Sequence, residues 1–293
     1  MSVPVVGCIG LGLMGEAITA RLIAGGCEVA GYDIVPGKIA AAARGGMHPC
    51  GSAREVAGVA DVVLLSLPTT AAVEAAVLGK DGIGAAGALA GKVLVDHSTT
   101  EIDATKRVAA ALAAATGMAF VDAPVSGGPA AAANGTLAIM GGGAQEPIAR
   151  VTPILERLGR FAHMGALGAG QATKLVNQTL VLANYCVVAE ALRLAEAYGV
   201  DPAKIPGALA SGHAGSNLLP ILFERMTARD FAPRGFARQV LKDLEMLNDA
   251  ASARHLAMPM AAQALTLYRL LIAQGKGELD GAAIVTLYPA SGA

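Results

Sequence analysis

Short apolar runs alternate with alanine-rich stretches of helical spacing throughout the first half of this 293-residue chain. One of the runs, Val62–Leu65, is apolar at every position. A strand that helices cover on both faces needs such a run, because neither face meets water. Strand–helix–strand repetition predicts βαβ units and a doubly wound parallel sheet. The predicted strands are Val5–Ile9, Glu28–Tyr32, Val62–Leu67, Val93–Asp96, Ala119–Val121 and Leu137–Met140.

The second half of the chain has a different pattern. A glycine-rich segment, Gly165–Gly170, precedes a helical pattern over Gln171–Tyr198 that contains neither Gly nor Pro. At 1.5 Å per residue this long helix spans about 40 Å. No strand is expected after Phe161, so we predict an α/β domain over residues 1–165 and an all-helical domain over residues 166–293. Further helices are predicted at Ala203–Ala210, Leu218–Ala228, Phe236–Ala253 and Met258–Ala273.

The composition excludes several classes of partner. Lys and Arg number 22 against 23 Asp and Glu, and no basic patch stands out, so we expect no nucleic-acid binding. Polar residues or Gly interrupt the apolar stretches before about 18 residues, so we expect no membrane-spanning helix. The residues from Met1 show no charged leader, and the four cysteines form no CxxC pair, so we expect a cytoplasmic protein with reduced thiols. The five histidines are scattered, and we predict no metal site.

A GxGxxG sequence, Gly10-Leu11-Gly12-Leu13-Met14-Gly15, follows the first predicted strand and opens a helix. In a dinucleotide site, the first glycine permits a tight turn and the second lets the backbone approach the pyrophosphate. The third lets the helix pack on the strand. The amide groups and the dipole at the helix N-terminus favour phosphate. The sequence therefore predicts a Rossmann-type domain that binds a dinucleotide.

Asp33 ends the second predicted strand, where a carboxylate can accept both ribose hydroxyl hydrogens and repel a 2′-phosphate. Lys38 lies close by in the sequence but belongs to the next helical pattern. We therefore predict NAD rather than NADP as the cofactor. The alternative is that Asp33 only caps the following turn.

Polar residues at four later places in the sequence are further candidates for a site, and the first two belong to the same crevice. Two strand ends, Ser66–Thr69 and Asp96–Thr100, offer hydroxyls, although Ser and Thr there also suit loops and N-caps. The loop Asp122–Gly128 offers a hydroxyl and two glycine amides that suit a carboxylate, or a structural turn. Lys174 and Asn177 share one face of the long helix, so Lys174 either lines a cleft as a general acid or base or extends into solvent.

The chain resembles a known family in the order and approximate spacing of four motifs. These are Gly10–Gly15, Asp122–Gly128, Gly168–Asn177 and Lys242-Asp243-Leu244. All four occur in the β-hydroxyacid dehydrogenases, which include 3-hydroxyisobutyrate dehydrogenase and tartronate semialdehyde reductase. The match continues to Gly275–Asp280, so it covers nearly the whole chain.

The resemblance implies roles for five residues at the substrate. Lys174 would protonate the carbonyl oxygen during reduction or accept the hydroxyl proton during oxidation. Asn177 would help to hold the substrate, and Ser126, Gly127 and Gly128 would bind its carboxylate. The implied reaction is hydride transfer between NAD and a small hydroxy acid or its semialdehyde.

The resemblance also implies contacts to the cofactor and an assembly. Thr99 and Lys242 match family positions that contact the cofactor, and Leu67 and Pro68 match a cofactor-binding loop at a strand end. The family fold is a Rossmann domain joined by a long helix to an all-helical domain for substrate binding and oligomerisation. A homodimer or homotetramer is therefore expected.

Three alternatives remain open at the level of sequence. An imine reductase would share the fold but usually lacks a lysine at the position of Lys174. A 6-phosphogluconate dehydrogenase would share the lysine, but this chain shows no Arg/Lys cluster for a sugar phosphate. A non-catalytic dinucleotide-binding scaffold would have no need of Lys174 and Asn177. The segment Asp280–Ala283 lacks a hydroxyl that the family often carries there, and the particular hydroxy acid stays open.

Overall fold

The computed structural model describes residues 5–289, and the chain forms two compact units that divide after Lys174. The residues 1–4, on which the expectation about a leader depends, lie outside the described part. The strands are β1 (Val5–Ile9), β2 (Glu28–Tyr32), β3 (His48–Pro49), β4 (Val62–Leu65), β5 (Val93–Asp96), β6 (Ala119–Asp122), β7 (Val125–Ser126), β8 (Leu137–Gly142) and β9 (Gly159–Gly165). The helices are α1 (Leu13–Ala24), α2 (Pro36–Arg44), α3 (Ala53–Val59), α4 (Thr70–Leu78), α5 (Ile102–Thr116), α6 (Gly128–Asn134), α7 (Gln145–Leu155), α8 (Ala169–Ala197), α9 (Ile205–Leu209), α10 (Leu218–Ala228), α11 (Ala237–Ser252) and α12 (Pro259–Ala273).

The first unit contains a nine-stranded sheet in the order β3-β2-β1-β4-β5-β6-β8-β7, with β9 paired to β8. All pairs from β3 to β6 are parallel, whereas β8 runs antiparallel to β6 and β7. The chain leaves β1 toward β2 on one side and returns to β4 on the other. In such a sheet the carboxyl ends of β1 and β4 flank a crevice at the switch point. The predicted doubly wound fold is therefore confirmed, with an antiparallel addition at one edge.

Alternate residues of β4 explain why this strand is apolar throughout. Val62 and Leu64 belong to a core cluster on one face of the sheet, with residues of α1 and α7. Val63 and Leu65 belong to a second cluster, with residues of α3, α4 and α5. Both faces are covered, so each position of the strand excludes water.

Two details differ from the sequence-based expectation. The strand β9 extends to Gly165, whereas no strand was expected after Phe161, and most side chains of β9 are exposed. Such a strand has little apolar periodicity to detect. The division of the chain after Lys174 lies later than the predicted boundary at residue 165. The first turn of α8 belongs to the first unit because the Gly168 and Gln171 backbone amides donate to Asp122 in β6.

The second unit is helical in its described part, around a core to which α8, α10, α11 and α12 contribute. The helix α8 has 29 residues, and by length and composition alone it is apolar enough to cross a membrane. This was not expected from the interrupted apolar stretches. The core helix of a soluble protein meets the same criteria, and Leu182, Ala189 and Leu192 of α8 are buried in the core of the second unit.

A buried ion pair fixes the segment that leads into α11. Arg225 Nη1 lies 2.7 Å from Asp280 Oδ1, and both side chains are almost fully buried. Asp280 Oδ2 also accepts from the backbone amides of Arg234 and Gly235, at 2.8 and 3.0 Å. The two oxygens of one carboxylate thus hold α10 and the loop before α11 together.

Candidate active site

The three glycines of the GxGxxG sequence have the three environments that a dinucleotide site needs. Gly10 has φ of 88°, and a Cβ there would lie 2.4 Å from the carbonyl oxygen of Ser66. A Cβ on Gly15 would lie 1.8 Å from the Gly10 carbonyl oxygen, so only glycine allows α1 to pack this closely. A Cβ on Gly12 would meet nothing nearer than Lys38 Nζ, at 3.9 Å. The backbone of Gly12 therefore faces open space at the N-terminus of α1.

Asp33 connects the end of β2 to the glycine-rich turn. Its Oδ2 accepts from the Leu11 backbone amide at 2.7 Å, and its Oδ1 accepts from the Val35 amide at 2.8 Å. Lys38, in the first turn of α2, places Nζ 3.8 Å from the same Oδ2. The carboxylate that was predicted to read the ribose is thus present, and a lysine ammonium lies beside it.

In the loop after β5, Ser98 and Thr100 are buried, whereas Thr99 between them is partly exposed. Asp96 Oδ1 accepts from the Ser98 amide at 2.9 Å, and burial raises the pKa of Asp96 to about 6. Ser98 Oγ accepts in turn from the Leu67 amide at 2.9 Å, which ties this loop to the one after β4. The predicted cofactor residues Leu67 and Thr99 therefore lie on two loops that are joined by a hydrogen bond.

The start of α8 is fastened to the ends of β5 and β6 by two residues that the sequence analysis did not select. Asp122 accepts from the backbone amides of Gly168 and Gln171, at 2.7 and 2.8 Å. Burial raises the pKa of Asp122 to about 6. The Gln171 side chain accepts from the Thr100 amide and donates to the Ser98 carbonyl, at 3.1 and 2.8 Å. The Thr99 loop and the first turn of α8 are thereby held together.

Lys174 lies one turn further along α8 and is only 7% exposed. Its Nζ donates to the Val125 carbonyl at 2.8 Å. Val125 begins the short strand β7, which leads directly into Ser126, Gly127 and Gly128. The ammonium therefore lies against this loop and does not extend into solvent, which was the alternative interpretation of Lys174.

The loop itself has a backbone that favours glycine at two positions. Gly127 and Gly128 have φ of 128° and 71°, and a Cβ on Gly128 would meet nothing within 4 Å. Ser126 lies opposite Ala138 in the pairing of β7 with β8 and is half-buried. The first unit thus places the Lys174 ammonium against the strand that leads directly into a hydroxyl and two glycine residues.

His97 is a buried neighbour of this arrangement. Its Nδ1 lies 2.6 Å from the Ala123 carbonyl oxygen, and burial lowers the pKa of His97 to about 4. Its Nε2 has no hydrogen-bond partner among residues 5–289. A neutral ring that donates from Nδ1 to the carbonyl agrees with both observations, so His97 links the loops after β5 and β6.

The second unit contains a connected row of polar side chains that begins at Asn177. Asn177 Nδ2 donates to Gln178 Oε1 at 2.8 Å, and Gln178 Nε2 donates to Asp243 Oδ2 at 2.5 Å. Lys242 Nζ lies 3.0 Å from the other oxygen of Asp243. The two predicted residues of this unit, Asn177 and Lys242, are therefore joined through Gln178 and Asp243, whose roles the sequence analysis did not foresee.

Two family models and several relatives match this chain over most of its length. A family model described as the NAD binding domain of 6-phosphogluconate dehydrogenase matches residues 5–168. A second, described as the NAD-binding domain of NADP-dependent 3-hydroxyisobutyrate dehydrogenase, matches residues 168–288. The chain is also 35% identical to 2-hydroxy-3-oxopropionate reductase of Escherichia coli over 95% of both chains. The chain belongs to the β-hydroxyacid dehydrogenase family.

Other relatives agree with this assignment. The chain is 34% identical to the probable 3-hydroxyisobutyrate dehydrogenase-like 2 of Arabidopsis thaliana, over 96% of this chain and 92% of the relative. The structure of Mycobacterium tuberculosis 3-hydroxyisobutyrate dehydrogenase with L-serine superposes with a TM-score of 0.83 at 31% identity. That superposition covers 98% of this chain and all of the other. This β-hydroxyacid dehydrogenase is therefore an NAD(P)-dependent oxidoreductase that acts on small hydroxy acids.

The environment of the glycine-rich turn fits the nicotinamide dinucleotide that the family uses. A Cβ on Gly12 would occupy the open space where backbone and pyrophosphate must meet. Gly12 offers no side-chain cap to α1, so the first amides of this helix are available to phosphate oxygens. Residues 10–15 of the dehydrogenase would hold the pyrophosphate, and Asp33 lies where the adenosine ribose is bound in this fold.

Proposed function

We propose that this dehydrogenase transfers hydride between NAD and a small β-hydroxy acid or its semialdehyde, with Lys174 as the proton donor and acceptor. The observation that carries this proposal is the position of the Lys174 ammonium. It is buried and donates to the Val125 carbonyl, one residue before the Ser126–Gly128 loop. An ammonium that is held beside a carboxylate-binding loop suits general acid–base chemistry at a neighbouring oxygen.

The proposed chemistry assigns one task to each group. When bound, the nicotinamide cofactor supplies or accepts the hydride. Lys174 Nζ gives a proton to the carbonyl oxygen during reduction and takes it from the hydroxyl during oxidation. The Ser126 hydroxyl and the amides of Gly127 and Gly128 bind the carboxylate, and Asn177 holds the rest of the substrate. Fixing the substrate in this way removes much of the entropic barrier to the reaction.

Asp33 supports NAD as the preferred cofactor. Its carboxylate is fixed by the Leu11 and Val35 amides and would repel a 2′-phosphate. Lys38, at 3.8 Å, offsets part of this repulsion, so we expect NAD to be preferred but NADP to be accepted. The remaining proposed cofactor contacts are Gly10, Gly12, Leu13, Met14, Gly15, Leu67, Pro68, Thr99 and Lys242.

An apolar stripe on α8 supports a homo-oligomer, which is a second part of the proposal. Val176, Leu180, Val187 and Leu194 are all exposed and recur at helical spacing. A continuous stripe of this kind favours packing against a second copy of the chain. A cytoplasmic location is proposed with it. Size-exclusion chromatography with light scattering at two concentrations would detect a dimer or tetramer, and a monomer at all concentrations would contradict the assembly.

The experiment that tests the function measures NADH absorbance with a panel of small hydroxy acids. The panel includes glycerate, 3-hydroxypropionate, 3-hydroxyisobutyrate and L-serine, with the matching semialdehydes for reduction. We expect Lys174→Ala to lower turnover by about 10²- to 10⁴-fold, the usual contribution of a general acid or base, while NADH binding stays within about threefold. Lys80→Ala, an exposed lysine of the first unit, is the matched control.

Near-wild-type turnover in Lys174→Ala would refute the assigned role. Absence of NAD or NADP reduction with every member of the panel would refute the proposed substrate class. A non-catalytic scaffold would bind NADH and show neither reaction, so the same assay separates that alternative.

A further inference from the structure

The Gln171 side chain holds the backbone on both sides of Thr99. Its Oε1 accepts from the Thr100 amide at 3.1 Å, and its Nε2 donates to the Ser98 carbonyl at 2.8 Å. A backbone amide only donates and a backbone carbonyl only accepts, so these two partners fix the orientation of the Gln171 amide. Gln171, Ser98 and Thr100 are 1%, 3% and 2% exposed, so water has little access to either bond.

The backbone of Gln171 is fixed by the end of β6. Its amide donates to Asp122 Oδ2 at 2.8 Å, and the Gly168 amide donates to the other oxygen at 2.7 Å. A Cβ on Gly170 would collide with the Met140 carbonyl oxygen, so the first turn of α8 lies directly against β8. This turn therefore has little freedom to move relative to the ends of β6 and β8.

Lys174 follows Gln171 by three residues, so the two side chains leave the same face of α8. Lys174 Nζ donates to the Val125 carbonyl at 2.8 Å. All of these contacts lie within the first compact unit, which ends at Lys174. Gln171 thus links the Thr99 loop to the helical turn that carries the lysine.

We propose that Gln171 is a positioning residue, whose side-chain amide sets the separation between the Thr99 loop and the Lys174 ammonium. This inference rests on the proposed function, in which Thr99 contacts the cofactor and Lys174 exchanges the proton. The hydride goes to the carbon and the proton to the oxygen of one carbonyl group, so both donors must be placed together. A displacement of about 1 Å can lower turnover about 10²-fold.

The first variant, Gln171→Leu, keeps much of the side-chain volume but removes both bonds. The buried Thr100 amide and Ser98 carbonyl lose their partners, so we expect the loop to shift. We expect kcat to fall about 10²-fold, while the dissociation constant for NADH stays within about fivefold of wild type. Binding is retained because the proposed pyrophosphate and ribose contacts, residues 10–15 and Asp33, lie on other loops. Rates are expressed per NADH-binding site, so unfolded chains do not lower them.

The second variant, Gln171→Glu, gives a readout that a merely structural role would not produce. A neutral carboxyl keeps both bonds, because its O–H donates to the Ser98 carbonyl and its other oxygen accepts from the Thr100 amide. An ionised carboxylate sets one oxygen against the Ser98 carbonyl oxygen instead. We expect the ratio of variant to wild-type kcat, per NADH-binding site, to rise at least about fivefold from pH 8 to pH 6.

The charges around position 171 favour the neutral carboxyl. The titratable groups beside the Ser98–Thr100 segment and the first turns of α8 are Asp96, His97, Glu101, Lys106, Asp122 and Lys174. Burial and the buried carboxylates of Asp96 and Asp122 raise the pKa of the introduced carboxyl. These effects outweigh the two ammonium groups, because ionisation also brings repulsion from the Ser98 carbonyl. Burial lowers the pKa of His97 to about 4, so its ring stays neutral over this range.

The matched control is Gln145→Glu, which makes the same change at an exposed position of α7. Its kcat ratio to wild type should not change with pH. A Gln171→Glu ratio that is equally constant overturns this inference. Loss of NADH binding by Gln171→Glu at pH 6 also overturns it, because both bonds are kept there.

The wild type separates this inference from the proposed function. If the wild type turns over a hydroxy acid and Gln171→Leu keeps more than about one third of its kcat, the positioning role is overturned and the proposed function stands. Absence of wild-type turnover with every hydroxy acid overturns the proposed function, and this inference with it.

Discussion

Replacing Arg225 by Met should destabilise the second unit by several kcal/mol. The guanidinium lies 2.7 Å from Asp280 Oδ1, with the two side chains 5% and 2% exposed. Methionine fills a similar volume but leaves the Asp280 carboxylate buried without its cation. Breaking a buried pair in this way costs about 3–5 kcal/mol of the free energy of unfolding.

The other contacts of Asp280 and Arg225 narrow the expected loss in the free energy of unfolding. Asp280 keeps three backbone donors in the variant, from Arg234, Gly235 and Ala282, so its charge is not wholly uncompensated. The Ala232 carbonyl, which accepts from Arg225 Nη2, loses a partner as well, at a cost of about 1 kcal/mol. We therefore expect a loss of about 3–4 kcal/mol for Arg225→Met.

Urea unfolding followed by circular dichroism measures this loss through the shift of the midpoint. The matched control is Arg269→Met, because Arg269 pairs with Glu245 at 3.3 Å but the two side chains are 58% and 45% exposed. An exposed pair contributes about 0.2–1 kcal/mol. If the two variants differ by less than about 1 kcal/mol, the reasoning from burial is wrong.

Three further predictions concern the cofactor and pH. Gly12→Ala should change the free energy of unfolding by no more than about 0.5 kcal/mol, because the added Cβ meets open space. The same variant should bind NADH at least about tenfold more weakly, as measured by fluorescence titration. Asp33→Ala should raise the ratio of NADP to NAD turnover, and Lys38→Ala should lower it. Unchanged ratios would show that neither residue selects the cofactor. Turnover should fall as the pH drops through about 6, because Asp96 and Asp122, whose pKa values burial raises to about 6, gain protons and release backbone amides. Over the same pH range, the contribution of these two carboxyl groups to the free energy of unfolding should rise, because a raised pKa favours the protonated folded state. A turnover rate that stays constant from pH 7 to 5 would contradict the expected loss of activity.

The first unit could be predicted closely because its signals are local. The strand Val5–Ile9, the glycine-rich turn and Asp33 follow one another within 33 residues, and each has a distinct residue pattern. The edge strand β9 was missed because its mostly exposed side chains lack apolar periodicity. Periodicity reports burial, so it fails where a strand is exposed.

The residues that support the site were beyond sequence reasoning because their partners are distant in the chain. Asp122 meets Gly168 across 46 positions, and Gln178 meets Asp243 across 65. A glutamine in a helix or an aspartate at a strand end has many possible roles, and only the fold shows which donor or acceptor it faces. Lys174 and Asn177 were found through the family motif, and their separate partners became visible in the structure.

The division of the chain between Lys174 and Leu175 has a consequence for how such enzymes diversify. Lys174 donates to a carbonyl of the first unit, whereas Asn177 donates to Gln178, which in turn donates to the Asp243 carboxylate of the second unit. One continuous helix therefore carries two proposed site residues, one turn apart, whose hydrogen-bond partners belong to different units. With the proposed roles, substitutions in α11 would change substrate binding through Asp243 and Gln178, while Lys174 would keep its partner in the first unit and the proton chemistry would be retained.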